Sequence, residues 1–129
     1  MRLKKLLFLG AAMLIAAGSP GFAQVTQEPY VRVAEIEIDP AKLGAYTVAI
    51  KEQVEAALRL EPGVLALYAV ADKENPAHVT VFEIYADAAA YQAHLETAHF
   101  KSYKITTEDI VKSLKLRETV PILLGVKRK

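Results

Sequence analysis

Two histidines, His94 and His99, stand five residues apart in a chain that holds three histidines and no cysteine. Imidazole changes charge near neutral pH, which makes it the natural general base for taking a proton from a small molecule. His94 shares a helical stripe with Tyr91, Leu95 and Ala98, so it is directed inward toward a sheet. There it reads either as such a base or as a core or rim histidine with a satisfied hydrogen bond. His99 lies roughly 140° further round an unbroken helix, so both rings face one pocket only if the helix bends.

Glu83 falls in an apolar run, on the same strand face as Val79, Val81 and Tyr85. A carboxylate is costly to bury alone, so Glu83 either contacts a base such as Arg32, His94 or a lysine, or borders a wet cavity. Tyr85, Tyr68 and Tyr103 offer hydroxyls for a ligand or aromatic bulk for a core, and Phe100 an apolar wall. His78 follows the turn at Pro76 and reads as a surface residue. The spacing speaks against a metal site: His94 and His99 are not i, i+4 ligands on one helical face, and Glu96 lies off that face. Without cysteine there is no disulfide, thiolate nucleophile or cysteine-based zinc site. No GxGxxG, P-loop or GxSxG motif occurs, so no nicotinamide, flavin or nucleotide cofactor is expected.

The elements that must position these side chains follow from pattern and breakers. Tyr30 to Ile38 alternates as a strand. Asp39-Pro40 caps a helix whose stripe runs through Leu43, Tyr46, Ile50, Val54, Ala57 and Leu58 until Glu61-Pro62-Gly63 stops it. Val64 to Asp72 and His78 to Tyr85 form an antiparallel hairpin around the turn at residues 73–77. Asp87 caps a second helix, helical character continues broken or bent from Phe100 to Val111, and Leu114 to Val120 is a last strand ended by Pro121. Strand, helix, strand, strand, helix, strand is the ferredoxin-like α+β order, βαββαβ. Helices on one sheet face leave the other bare, with Val31 and Val33 or their neighbours exposed, and a second copy is the simplest cover. The apolar tail from Ile122 to Val126 could reach across to it.

Residues 1–23 carry Arg2, Lys4 and Lys5, then an apolar run from Leu6 to Ala17, then small residues at Gly21 and Ala23. This is the pattern of a secretory signal peptide, so residues 24–129 form the expected mature domain, periplasmic or secreted. The chain has 16 basic and 15 acidic side chains; losing three basic ones leaves 13 against 15, a formal charge of −2. Such a balance gives no electrostatic footprint for nucleic acid.

Three stretches, Glu61-Pro62-Gly63-Val64, Val81-Phe82-Glu83-Ile84-Tyr85 and the run from Tyr91 to Tyr103 that contains HLETAHFKSY, resemble the antibiotic biosynthesis monooxygenase family. The likeness is greatest to its quinol monooxygenases, and related autoinducer-processing isomerases share the His…His-aromatic-Lys pattern. Relatives usually have proline where this chain has Ala98. The resemblance implies a dimeric α+β barrel that oxygenates an electron-rich quinol or polyphenol with dioxygen, using no metal, flavin or other prosthetic group. It implies His94, His99 and Glu83 as the catalytic candidates and Tyr85, Tyr68, Phe100 and Tyr103 as substrate contacts. A haem-degrading branch has asparagine, tryptophan and histidine where this chain has Ala34, Tyr85 and Lys104, so haem is not expected. A non-catalytic ligand-binding dimer and an isomerase of a small oxygenated metabolite are the alternatives on the same scaffold.

Overall fold

Alternating Val, Ile and aromatic positions make Tyr30–Ile38 a strand, β1. The computed structural model describes residues 28–129, so the expected signal peptide lies outside the described residues. After β1, Asp39 accepts a hydrogen bond from the backbone N–H of Ala41 at 3.0 Å, and Pro40 sits in a single 3-10 turn that leads into helix α1, Leu43–Leu60. The helix closes with the Glu61 N–H on the Ala57 carbonyl at 3.0 Å, where Pro62 and Gly63 forbid another turn. Strands β2, Val64–Ala71, and β3, His78–Tyr85, follow as an antiparallel hairpin.

The second helical stretch is two helices, α2 at Ala88–Leu95 and α3 at Ala98–Thr107. The break needs no proline. Thr97 takes an extended conformation, and its Oγ1 accepts from the Phe100 N–H at 3.3 Å while donating to the His94 carbonyl at 2.7 Å. Strand β4 runs Val111–Thr119, starting three residues before the expected Leu114. A register shift at Glu37/Ile38 lets Val111 pair with Ile38, which extends the ladder beyond the visible alternation.

The four strands form one antiparallel sheet in the order β2-β3-β1-β4, the ferredoxin-like arrangement. One sheet face carries Ala34, Ile36, Val79, Val81 and Leu67, buried with Tyr46 and Ala57 of α1 and Tyr91 of α2. Leu58, expected on the buried stripe of α1, is exposed instead. Residues of opposite parity populate the other face: Tyr68 and Val70 are 55% and 62% exposed, Val33, Phe82 and Ile84 half-buried. Val31, expected on the bare surface, is buried. No helix among the described residues is long and apolar enough to cross a membrane.

Candidate active site

The sheet face under the helices is not filled completely. A cavity of about 330 Å³ remains between it and the helices, floored by Ala34, Ile36, Val81 and Glu83 and bounded at the edge strand by Leu114 and Leu116. Gln53 reaches it from α1, His94 from α2, and Phe100, Tyr103, Lys104 and Thr107 from α3. Its size and mostly apolar wall with a few polar groups are those of a small-molecule site.

His94 is the polar group built in most firmly. Its ring is buried, 4.9 Å between centroids from Phe100 and 5.4 Å from Tyr85. Nδ1 lies 2.8 Å from Glu61 Oε2, and Nε2 lies 3.0 Å from the amide nitrogen of Gln53. A carboxylate only accepts, so Nδ1 carries the proton and Nε2 presents a lone pair to the amide N–H. The base lone pair thus sits beside the cavity, held by an amide that can turn aside, while a carboxylate behind the ring fixes the tautomer.

His99 arrives at the same carboxylate. Its Nε2 lies 2.6 Å from the same Oε2 of Glu61. The five-residue spacing does not separate the two rings because the chain turns at Glu96-Thr97, and their centroids are 6.1 Å apart. The spacing argument against a shared ligand set is corrected accordingly: donor atoms of Glu61, His94 and His99 lie within 4.8 Å of one another, a set that a divalent cation accepts. The Nδ1–Oε2 and Nε2–Oε2 separations of 2.8 and 2.6 Å are hydrogen-bond lengths, and a cation about 2.1 Å from each donor would spread them to about 3 Å.

Glu61 reaches the cluster through Gly63. A Cβ on Gly63 would stand 2.5 Å from the Cβ of Ala90, so only glycine lets the start of β2 lie this close to α2. The Gly63 carbonyl also accepts from Ala86 N–H at 2.8 Å.

Glu83 borders the cavity from the sheet and does not bond to the histidines. Its Oε1 accepts from the Tyr85 hydroxyl at 2.5 Å. Burial lifts the carboxyl above its ordinary range, against the opposing pull of the Tyr85 hydrogen bond and the Arg32 guanidinium. Arg32 is its register partner on β1, yet the guanidinium lies 4.5 Å over the Tyr91 ring and donates to the Tyr30 hydroxyl at 3.2 Å. Burial pushes the Tyr85 hydroxyl upward too, beside the Glu83 carboxylate.

The structure therefore brings His94, Glu83, Phe100 and Tyr103 to one cavity and joins His99 to it through Glu61. Tyr85 and Tyr68 differ from the expectation. Tyr85 is fully buried with its hydroxyl turned to Glu83, and Tyr68 lies in register with Phe82, on the sheet face opposite the cavity. Glu61 and Gln53 were not legible as site residues. Glu61 reads as a helix stop; Gln53 falls three after Ile50 and four before Ala57, and an amide on that buried stripe was the available signal.

The profile of the antibiotic biosynthesis monooxygenase family matches residues 29–104. A crystal structure of a presumed antibiotic biosynthesis monooxygenase from Bacteroides thetaiotaomicron VPI-5482 is 52% identical, with TM-score 0.74 over 78% of this chain and 96% of that one. A presumed monooxygenase from Lactobacillus acidophilus NCFM is 27% identical, with TM-score 0.70 over 71% of this chain and 44% of that one. One from Nitrosomonas europaea, at 23% identity and TM-score 0.69 over 73% and 90%, shares the fold. A search of curated proteins gives no match. From its matched profile, its relatives and its fold, the chain belongs to the antibiotic biosynthesis monooxygenase family.

Proposed function

We propose that the protein is a cofactor-independent monooxygenase that oxidises a quinol or polyphenol with dioxygen, in the periplasm, as a homodimer joined through the open sheet face. The observation that carries this reading is His94: a buried imidazole at the wall of an apolar cavity, its Nδ1 on a carboxylate and its Nε2 on a displaceable amide. An apolar cavity of about 150 Å³ holds benzene, so one of about 330 Å³ suits one or two aromatic rings. Dioxygen reacts slowly with neutral organic molecules because of its spin, whereas an arenolate can pass it an electron. The protein then needs only to bind the ring and take its proton. A free phenol titrates near 10, so the anion needs support, and the Gln53 amide and the Lys104 ammonium border the cavity to supply it.

The reaction balances as dihydroxyarene plus dioxygen giving hydroxyquinone plus water. The substrate O–H breaks and its proton moves to Nε2 of His94, the Gln53 amide turning aside. The anion gives one electron to dioxygen, and the resulting radical pair closes a C–O bond. The peroxide takes a proton; the ring C–H proton then leaves, the O–O bond breaks, and the departing oxygen takes a second proton as water. Four electrons leave the substrate and dioxygen takes four.

Oxygen uptake by the metal-free protein with a panel of quinols tests the reading. Saturable uptake that falls at least tenfold in His94→Ala is expected, about 1.4 kcal/mol of barrier as a minimum. No uptake above autoxidation overturns it, in favour of a binding domain or an isomerase. For the dimer, the supporting observation is the apolar open face with Tyr68 and Val70 exposed, and a monomer mass in analytical ultracentrifugation overturns it. For the location, the supporting observation is the pattern of residues 1–23, checked by fractionating cells that make the full chain.

A further inference from the structure

A base sealed inside a cavity must dispose of the proton it takes and recover it when water forms. The His94 side chain is 2% exposed, so it has almost no direct contact with solvent. Glu61 and His99, at 11% and 15%, lie progressively nearer the surface. The contacts run in series: His94 Nδ1 to Glu61 Oε2 at 2.8 Å, then the same Oε2 to His99 Nε2 at 2.6 Å. His99 is not part of the cavity wall, and among the described residues its Nδ1 has no hydrogen-bond partner.

We propose that Glu61 and His99 form a proton relay joining His94, and through it the cavity, to bulk solvent. This rests on the reading of His94 as the base. Imidazole suits the role because it accepts on one nitrogen and releases from the other without turning. The substrate proton forms the Nε2–H bond of His94; the Nδ1–H bond breaks as Oε2 of Glu61 takes that proton. Glu61 passes it to Nε2 of His99, and the Nδ1–H of His99 gives a proton to water. The outward step starts with the His99 proton on Nδ1 and Nε2 free to accept, and ends with it on Nε2; on the return path water protonates Nδ1 as the Nε2–H proton passes back to Glu61, which restores the starting tautomer. The reverse path returns a proton to the peroxide. No electron moves in either direction. His99 and Glu61 act through His94, so they are positioning and relay residues rather than catalytic ones.

His99→Gln separates relay from scaffold, because a glutamine amide can still donate to Glu61 but cannot pass a proton through. With quinol as substrate, kcat is expected to fall about tenfold or more with KM little changed. In His99→Ala, added imidazole is expected to restore turnover in proportion to its concentration. Wild-type turnover in His99→Gln overturns the relay, as does a loss in His99→Ala that imidazole leaves untouched. A second measurement needs no turnover: exchange of the His94 Nδ1 proton with water, followed by NMR on protein labelled with nitrogen-15 in histidine. The relay predicts exchange slowed about tenfold or more in folded His99→Gln; equal exchange overturns it. An absence of oxygen uptake in the wild type together with slowed exchange would sink the oxygenase reading and leave the relay standing.

Discussion

Two carboxyl groups serve this cavity in opposite ways. Glu61 stands where α1 ends, at a break in the backbone, and one of its oxygens meets a ring nitrogen from each of two imidazoles. Glu83 stands in the middle of a regular strand, has Tyr85 as its hydrogen-bond donor, and is lifted by burial. The first belongs to a device assembled from irregular pieces: the stop at Pro62-Gly63, the close approach to Ala90, and the turn at Thr97. The second is a polar residue placed by strand alternation alone. Charge is provided with partners where the chain breaks and is left to protonation where it runs straight.

If that contrast is right, damage at the Glu61 end should be larger than at the Glu83 end. His94→Ala is expected to have the greatest effect, a loss of about 10² to 10⁴ in turnover with the fold retained by circular dichroism. A loss as large from Glu83→Gln would break the comparison. Gly63→Ala comes next. Its new methyl would lie 2.5 Å from the Ala90 Cβ, so α2 must shift away from Glu61. Overpacking of this kind costs about 1–3 kcal/mol, read in urea unfolding, and turnover should fall with it. Gly44→Ala is the control, since nothing lies within 4 Å of its Cβ position. There alanine should stabilise α1 by about 0.5–1 kcal/mol.

The same contrast explains what the sequence made legible. The strand order, the hairpin, the start of α2 and the end of α1 follow from alternation, Asp87 and the Pro-Gly stop, because each is a local preference that packing did not override, whereas Asp39 caps the 3-10 turn ahead of α1 rather than α1 itself. Glu83 was visible for the same reason: a carboxylate in an apolar alternating strand contradicts its surroundings. Glu61 was not, because its local role as the residue before Pro62 is a sufficient account of it, and its partners sit 33 and 38 residues away. The convergence of His94 with His99 depended on a helix break that Thr97 makes with a single hydroxyl cap. Periodicity does not encode such a break, and Ala98 concealed it.

Glu83→Gln sharpens the comparison from the other side. Burial raises the Glu83 carboxyl, so the folded chain holds this proton more tightly than the unfolded one. The group's contribution to stability is therefore complete below its unfolded value, near 4.3, and is lost as pH rises through the higher folded value. Glutamine keeps an acceptor for the Tyr85 hydroxyl and carries no charge. Relative to wild type, the variant should gain stability as pH rises from 4 toward neutrality and show no gain below about 4. Urea midpoints across that range test it, and a constant difference at every pH would show that Glu83 does not titrate differently in the two states.

The smallest effect concerns the break itself. Ala98 is the first residue of α3, a position where proline's fixed φ suits the helix and its missing N–H is not needed. Thr97 before it has φ −69° and ψ 150°, the extended conformation that a residue preceding proline prefers. Ala98→Pro should therefore fit without strain and stabilise by about 0.4–1 kcal/mol, chiefly by restricting the unfolded chain. Because Thr97 already makes the turn, the substitution should leave the contacts of His94 and His99 to Glu61, and hence turnover, unchanged. A rise in turnover together with stability would mean that the hydroxyl cap alone leaves the junction loose, and that the Glu61 end is held less firmly than its hydrogen bonds suggest.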